Sequence, residues 1–368
     1  MSRPTSNRRE FLQGRAAADA LAAAIDRVLP APQADPSAAP AASESQDGDR
    51  YLVQYARQAM ACQFAVLLNA GQYDEGAESA IAALDLVEQL EEQLTVYRDT
   101  SEVMLVNREA AAREVVLEPG VYALLSNAVR MARETGGAFD ITAGPLVKTW
   151  GFYKRAGAIP SEHDLQTALA RVGSQHIVLD DARHTIHFAK PGMELNLGAI
   201  GKGYALDRSA QLLADAGVAD FLLHGGQSSV LARGSRGGAA TGGWSVGLRD
   251  PLRPERRLAE IRLRDRALAT SGATHQFFRH QGKRYGHILD PRTGWPAAGV
   301  FSSTALAPTA AEADALSTAF YTMGVEAARA FCADRAEIGM VLLYPDKQGS
   351  SVEVATAGLE AGDWRLLD

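Results

Sequence analysis

Residues 195–207 read LNLGAIGKGYALD, and this stretch decides how the surrounding chain is interpreted. An apolar run enters a turn that holds three glycines, Gly198, Gly201 and Gly203, and one lysine, Lys202, and it leaves as a helix. Glycines let the backbone approach a ligand, and N–H groups at a helix N-terminus beside a lysine suit a phosphate. Their small size also predicts close packing of this helix on the strand behind it. A tight corner that binds nothing is the alternative.

Composition excludes several classes of protein. The chain has 368 residues, of which 46% are hydrophobic, enough for one large domain of two lobes or for two domains. Its net charge is −7 and it contains no long basic run, which argues against general affinity for nucleic acid or for acidic membranes. The two cysteines, Cys62 and Cys332, lie far apart, so neither a disulfide framework nor a structural zinc site is indicated. No apolar run reaches the roughly 18 residues of a transmembrane helix.

The N-terminal segment, residues 1–49, is predicted to lie outside the folded body. Arg8 and Arg9, followed by Glu-Phe-Leu, resemble a twin-arginine export signal. Three charged residues interrupt the region that such a signal needs apolar, so a cytoplasmic helix or arm remains the alternative. Residues 30–48 are rich in Ala, Pro and Ser and are typical of a linker. The folded domain is therefore expected to span residues 50–368.

Apolar periodicity predicts an α+β fold rather than a doubly wound sheet. Helices are expected over residues 74–94, 119–134, 161–172 (with Ser161 as N-cap), 205–216, 311–323 and 325–334. Strands are expected within residues 51–69, as a hairpin over 176–188, over 193–200, 220–226 and 339–344, and in a second sheet over 244–248 and 256–264.

One helical pair of side chains indicates a metal site. Asp314 and Thr318 are four residues apart, so their oxygens project from one helix face and can converge on one ion. Oxygen ligands without His or Cys favour Mg²⁺ or Ca²⁺ over zinc. A solvated aspartate beside a threonine packed on its helix is the alternative.

Six ordered motifs give the chain a family resemblance. Besides residues 195–207 they are LTVYRDTSEVMLVN (94–107), GGAFDITAGPLVKTWGF (136–152), LATSGATHQFF (268–278), GKRYGHILDPRTGWP (282–296) and APTAAEADALSTAFYTMG (307–324). In order and spacing they resemble the ApbE-type FAD:protein FMN transferases, over about residues 51–344. The resemblance implies a T-fold-like, two-layer arrangement of helices on mostly antiparallel sheets. It also implies Mg²⁺-dependent transfer of FMN from FAD to a Thr or Ser hydroxyl of an acceptor protein, with release of AMP.

The resemblance also implies site residues. The metal ligands would be Asp314, Thr318 and an oxygen of Ala199. Catalytic roles would fall to Asp314, to Lys202 near the pyrophosphate, and to His287 on the acceptor hydroxyl, although a core histidine is equally compatible with the sequence. The positions that match FAD-binding residues of the family are Met60, Tyr97, Ala138, Phe139, Asp140, Asn196, Lys202 and Ile288. Tyr97 and Phe139 offer flat surfaces for ring systems, or are core aromatics. Asp140 requires a hydrogen-bonding partner if it is buried.

The chain departs from the family pattern at four positions. Ala61 and Cys62 stand where the family usually has Gly and Thr, and Asn196 and Gln227 stand where it usually has Asp. The two missing carboxylates favour a catalytically weak FAD-binding protein as an alternative, and a Mg²⁺-dependent FAD hydrolase that yields FMN and AMP is the alternative among enzymes. The acceptor is expected to carry an S/T-G-A-T motif. Residues 271–274, SGAT, resemble that motif without its upstream Asp, so modification of Thr274 itself is a minor alternative.

Overall fold

The six helices that the apolar periodicity predicts are all present, with ends within four residues of the predicted bounds, and the helices over 102–109 and 144–149 were not predicted. The computed structural model describes residues 51–154, 157–237, 242–273, 276–360 and 362–367. The predicted N-terminal segment 1–49, with Arg8 and Arg9, and the motif residue Thr274 lie outside these ranges. The helices are α1 (Gly76–Leu94), α2 (Glu102–Glu109), α3 (Pro119–Glu134), α4 (Gly144–Thr149), α5 (Glu162–Leu169), α6 (Gly201–Asp215), α7 (Ala310–Met323) and α8 (Val325–Ala333).

The strands pair antiparallel throughout the described sheets. They are β1 (Leu52–Ala59), β2 (Cys62–Asn69), β3 (Val115–Val116), β4 (Ile177–Asp180), β5 (Thr185–Phe188), β6 (Phe221–Gly225), β7 (Ser229–Arg233), β8 (Trp244–Arg249), β9 (Arg257–Leu263), β10 (Ala267–Gly272), β11 (Phe277–His280), β12 (Lys283–Gly286), β13 (Ser302–Ala307), β14 (Gly339–Pro345), β15 (Val352–Ala357) and β16 (Trp364–Leu366).

An eight-stranded sheet, with strand order β1-β2-β6-β7-β10-β13-β14-β15, forms the centre of the fold. Successive residues of its strands alternate between two apolar clusters. Leu223 and Leu231 join the cluster that includes α1, α6 and α7, whereas Leu222 and Val230 pack with β8 and β9 on the opposite face. The α+β prediction is thus confirmed: a helical layer covers one face, and the predicted second sheet, β16-β9-β8, covers the other.

Residues 193–200, predicted as a strand, form none. Their one described bridge joins Glu194 to Ala143. The Asn107 side chain satisfies both backbone groups of Leu195, since its Nδ2 donates to the carbonyl at 3.1 Å and its Oδ1 accepts from the N–H at 2.7 Å. The N–H of Asn196 donates to the carbonyl of Ile141 at 2.7 Å. An apolar run therefore stays extended here without a strand partner, because a side chain and a loop carbonyl replace the ladder.

The predicted first strand is a hairpin of two strands. Ala59 pairs with Cys62, and the loop between them consists of Met60 and Ala61 with φ of 49° and 59°. A two-residue loop with both residues in the left-handed region matches the twist of the strands, but it favours glycine or asparagine. The turn therefore stores strain at an alanine.

We expect Ala61→Gly to raise the free energy of unfolding by about 1 kcal/mol, because glycine adopts this φ without the penalty of a Cβ. Chemical denaturation measures the change. Ala56→Gly, at an exposed position inside β1, is the matched control and should lower stability, because glycine weakens a strand. Equal losses in both variants would contradict the strained-turn interpretation.

Candidate functional site

Helix α6 begins in the glycine-rich turn, where it packs closely on another helix; the strand that the sequence predicts just before it does not form. At Gly203 an added Cβ would lie 2.1 Å from the carbonyl oxygen of Ala310 and 2.7 Å from the Cα of Ala311. No side chain fits in that space. Because Gly203 has no side chain, the first turns of α6 and α7 contact each other through their backbones. This contact brings Lys202 next to Asp314 of α7.

Asp207 fastens the same two helices together. Its carboxylate accepts hydrogen bonds from the backbone N–H groups of Ala310 and Ala311, at 2.7 and 2.8 Å, at the beginning of α7. Burial raises the pKa of this carboxyl to about 6, and the two N–H groups oppose that rise. The helix start thus depends on an acid that the sequence motif gave no reason to single out.

The raised pKa predicts a pH-dependent stability. The carboxyl binds its proton more tightly in the folded than in the unfolded chain, where the pKa is near 3.8. Its contribution is therefore present below pH 3.8 and is lost as the pH rises to about 6. Between these values the free energy of unfolding should fall by up to about 3 kcal/mol from this group. In Asp207→Asn, urea unfolding across this range should show a smaller decline; an unchanged slope would contradict the assignment.

Asp314 lies at the point where α6, α7 and the large sheet meet. It is 5% exposed. Its Oδ2 accepts from the N–H of Gly203 at 3.0 Å and its Oδ1 from the hydroxyl of Ser229, on β7, at 2.9 Å. The Nζ of Lys202 is 3.6 Å from Oδ2. A buried carboxylate is thus held in one orientation by two donors and balanced by one ammonium.

A row of hydroxyl groups continues from Asp314 along α7. The Oγ of Ser271, on β10, lies 2.8 Å from the Oγ of Ser317 and 3.0 Å from the Oγ1 of Thr318. Ser303, on the neighbouring strand, is fully buried, and its Oγ has no hydrogen-bond partner among the described residues. The helix face predicted from Asp314 and Thr318 therefore meets further oxygen donors from the sheet.

This donor set fits the implied magnesium ion. The N–H of Gly203, which an ordinary helix would bond to the carbonyl four residues earlier, donates to Asp314 instead. Among the described residues no donor therefore reaches the carbonyl oxygen of Ala199. One carboxylate, one hydroxyl and one open carbonyl are hard oxygen ligands. The described residues contain no cluster of three His, Cys, Asp or Glu that would suit a softer metal.

Two departures from the family pattern lie close to each other, and one of them, Cys62, is near Lys202. Burial raises the pKa of the Cys62 thiol, which the nearby Lys202 ammonium lowers and the Asp314 carboxylate raises. The turn after β6 packs on this thiol, since a Cβ at Gly226 would lie 3.1 Å from its Sγ. In that turn the Gln227 side chain accepts a 3.4 Å hydrogen bond from Arg249. A neutral thiol thus lies near Lys202 where the family usually has a hydroxyl, and a neutral amide lies in the adjoining turn where it usually has a carboxylate.

The predicted FAD-binding residues fall into separate groups. Tyr97 is 67% exposed and stacks on Tyr153 with ring centroids 4.8 Å apart. Asn196 and Tyr153 line one small cleft together with Lys148 and Glu194, whose side chains are 2.5 Å apart. A larger cavity of about 400 Å³ adjoins this ion pair, away from Asp314. Tyr97 and Asn196 are therefore brought to the same region, and Tyr153 is a neighbour that the motifs did not indicate.

The remaining predicted residues are buried or half-buried. Phe139 is 1% exposed and belongs to the main core, the alternative that the sequence left open. The Asp140 carboxylate has the partners it requires, because it accepts from the backbone N–H and hydroxyl groups of both Thr142 and Ser174, at 2.6 to 2.8 Å. Ala138, Ile288 and Met60 also pack in or against the core. Their assignment to FAD binding stays a prediction.

His287 follows β12 and is half-buried. Its Nδ1 lies 3.0 Å from the carbonyl oxygen of Gln276. The chain then turns, and both Asp290 oxygens accept from the Arg292 side chain, at 2.9 and 2.8 Å. The structure therefore holds the histidine between the β11–β12 pair and a rigid turn, with its backbone fixed on both sides.

The geometry can be compared with that of known proteins. The profile of the ApbE family matches residues 60–342. This chain belongs to the ApbE family. The FAD:protein FMN transferase of Treponema pallidum (strain Nichols) is 35% identical over 276 residues, which cover 72% of this chain and 76% of that protein. That of Klebsiella pneumoniae (strain 342) is 30% identical over 285 residues, which cover 77% and 86%. The crystal structure of the ApbE protein of Thermotoga maritima superposes with a TM-score of 0.73 at 29% identity, over 82% of this chain and 96% of that one.

The sequence reasoning missed several residues of this ApbE-family site. Ser229 and Ser271 contribute hydroxyls, and Asp207 holds the start of α7. The N–H of Gly203 donates to Asp314, which the sequence did not indicate. Gly203 was marked by its place in the glycine-rich turn. The two serines carry no comparable signal, because their position depends on which strands are neighbours in the sheet.

Proposed function

We propose that this chain is an FAD:protein FMN transferase, which moves the FMN part of FAD to a Thr or Ser hydroxyl of an acceptor protein and releases AMP. The observation that carries the proposal is the buried Asp314 carboxylate, held by Gly203 and Ser229 beside Lys202 on a face that also presents Thr318. Two curated relatives that bear this activity as their name align with most of the chain. Family membership and a suitable donor set thus support the same chemistry.

Asp314, Thr318 and the carbonyl of Ala199 would hold Mg²⁺. When bound, the ion supplies Lewis-acid polarisation of the FAD pyrophosphate and charge neutralisation on the departing AMP. The acceptor oxygen attacks the FMN-side phosphorus, its proton passes to His287, and the bond to the AMP phosphate breaks. The Lys202 ammonium, 3.6 Å from Asp314, is close enough to the proposed metal position to bind a pyrophosphate oxygen as well. Tyr97 and Asn196 would orient the rest of FAD.

Hydrolysis of FAD to FMN and AMP is the second candidate function, and binding of FAD with little turnover is the third. In the hydrolase, water would replace the acceptor hydroxyl as nucleophile. The loss of carboxylates at Asn196 and Gln227 favours the binding protein, because neutral amides contribute less to the charge balance of a metal site.

Mass spectrometry separates these functions. The protein is incubated with FAD, Mg²⁺ and a peptide that contains an S/T-G-A-T core, and AMP is measured in parallel. A peptide mass gain equal to FMN minus water supports the transferase. AMP without peptide modification supports the hydrolase, and bound FAD without AMP supports the binding protein.

We propose that residues 50–368 form the transferase domain, and that residues 1–49 serve as a twin-arginine export signal and linker. The exported protein would be periplasmic or membrane-associated, and the cytoplasm would be the location if the signal does not function. Among the residues that the structure covers, no helix combines the length and apolar character needed to cross a bilayer.

Replacing both Arg8 and Arg9 with Lys should leave the protein in the cytoplasm, because the export receptor reads the guanidinium pair. Cell fractionation with an antibody to the folded domain measures the distribution. If the wild-type and the double variant distribute identically, the export assignment is wrong.

A further inference from the structure

The β11–β12 ribbon carries a concentration of positive charge that the proposed mechanism does not use. It contains Arg279, Lys283 and Arg284, and the sequence has no Asp or Glu between Asp265 and Asp290. The chain as a whole has a net charge of −7. None of these three cations forms an ion pair with a carboxylate of the described residues. The ribbon is thus positively charged, although the net charge of the protein is negative.

The two faces of the ribbon differ. Phe278 and Tyr285 are directly opposite each other, stack with centroids 5.3 Å apart, and pack against Trp150, which anchors the ribbon to the body. Arg279 and Arg284 are also directly opposite each other, on the other face, which they share with Phe277. Like charges in this position are destabilising. The outer face therefore brings two arginines together without an internal counter-charge.

This outer face leads to the candidate site. The Arg284 guanidinium lies 3.8 Å from the centre of the Phe277 ring and donates a hydrogen bond to the carbonyl of Ala273. Ala273 follows Ser271 by two residues, and Ser271 lies 3.0 Å from Thr318. On the other side of the ribbon, His287 comes directly after β12. A segment that lies on the outer face and continues past Ala273 and Ser271 therefore reaches Thr318, a proposed metal ligand, while the proposed base lies across the ribbon.

We infer that the face formed by Phe277, Arg279 and Arg284 docks an acidic segment of the acceptor protein beside its modified hydroxyl. The inference rests on the proposed function, since the partner is the acceptor protein of the transferase. It adds that this partner presents acidic side chains. Acidic side chains would relieve the repulsion between Arg279 and Arg284 and steer the acceptor to the site. The exposed Phe277 ring, 39% accessible, adds apolar contact area.

Two fluorescent peptides test the inference. Both contain the same S/T-G-A-T core; one has Asp and Glu in its flanks and the other has Asn and Gln at the same positions. Fluorescence anisotropy with the FAD-loaded full chain measures binding at low and at high salt, and mass spectrometry measures FMN transfer to each. We expect the acidic peptide to bind about tenfold or more tightly than its amide counterpart, with the difference lost at high salt.

Charge reversal localises the effect. Arg279→Glu should remove the preference for the acidic peptide, whereas Arg256→Glu, at an exposed arginine in the turn before β9, should keep it. The FAD dissociation constant of each variant is measured as well. If Arg279→Glu weakens FAD binding as much as peptide binding, the ribbon serves FAD and the inference is overturned.

The remaining outcomes separate the docking face from the proposed function. Salt-dependent preference for the acidic peptide without FMN transfer would support the docking face and count against the transferase. Equal transfer to both peptides, or binding of neither, would overturn the docking face. So would binding to phosphatidylglycerol vesicles without binding to the acidic peptide, because a lipid surface would then be the partner.

Discussion

Asp314→Asn is expected to reduce Mg²⁺-dependent release of AMP from FAD by about a thousandfold or more. The substitution removes the only carboxylate assigned to the metal, and with it several kcal/mol of stabilisation of the developing charge. The amide keeps one oxygen that can accept from Gly203 or Ser229, so the fold should survive. AMP release over a Mg²⁺ titration, together with the melting temperature of the variant, measures both effects.

Thr318→Val is the graded comparison for this prediction. A neutral hydroxyl ligand can be replaced by water, so we expect a loss of about tenfold and a higher Mg²⁺ requirement. FAD binding, followed by flavin fluorescence, should persist in both variants, because Tyr97 and Asn196 lie on other segments. Near-normal turnover of Asp314→Asn at saturating Mg²⁺ would show that the metal is held elsewhere.

Gly203→Ala is expected to lower the free energy of unfolding by about 3 kcal/mol or more. The added Cβ would lie 2.1 Å from the carbonyl oxygen and 2.4 Å from the carbonyl carbon of Ala310, and both are backbone atoms with no freedom to turn aside. Helix α6 must then move away from α7. The N–H of Gly203 and the Oδ2 of Asp314 separate as a result, so Mg²⁺-dependent turnover should fall together with stability.

Gly201→Ala, in the same helix, isolates the steric cause. A Cβ at Gly201 meets nothing closer than the Cβ of Leu197 at 3.9 Å. Its stability should therefore change by no more than about 1 kcal/mol, with alanine favoured in a helix. Urea denaturation of both variants provides the measurement. Similar losses in both would mean that helix propensity, and not the contact with Ala310, decides the effect.

Local signals in the sequence predicted the helices well. Helix α3 begins at Pro119 and ends before the pair Gly136–Gly137, as expected from a residue that favours helix starts and from two that favour helix ends. Ser161 accepts from the N–H of Asp164 at 3.1 Å and caps α5 as predicted. These features depend on neighbouring residues alone, which is why periodicity and capping chemistry were sufficient.

The candidate site could be predicted only where a motif contained it. Asp314 and Thr318 share one helix, so their spacing gave their common face. Ser229 and Ser271 contribute through β7 and β10, and the sequence does not reveal that these strands are neighbours. The strand predicted over residues 193–200 was wrong for a related reason, because the side chain of Asn107, far away in sequence, satisfies that backbone. Strand propensity does not account for backbone hydrogen-bond partners that the tertiary structure supplies.

The two hydrogen bonds that fix the Asp314 carboxylate span 111 residues to Gly203 and 85 residues to Ser229. Contacts between residues so far apart in sequence form slowly. The chain must lose the conformational entropy of closing a large loop before these contacts can stabilise it. The proposed metal site would therefore be complete only after β7 has joined the central sheet and α6 has docked on α7. During synthesis the chain has no such site until α7 has emerged from the ribosome. Tight Mg²⁺ binding at the proposed site would accordingly mark completed folding, and we expect an interrupted chain that ends before residue 310 to lack it.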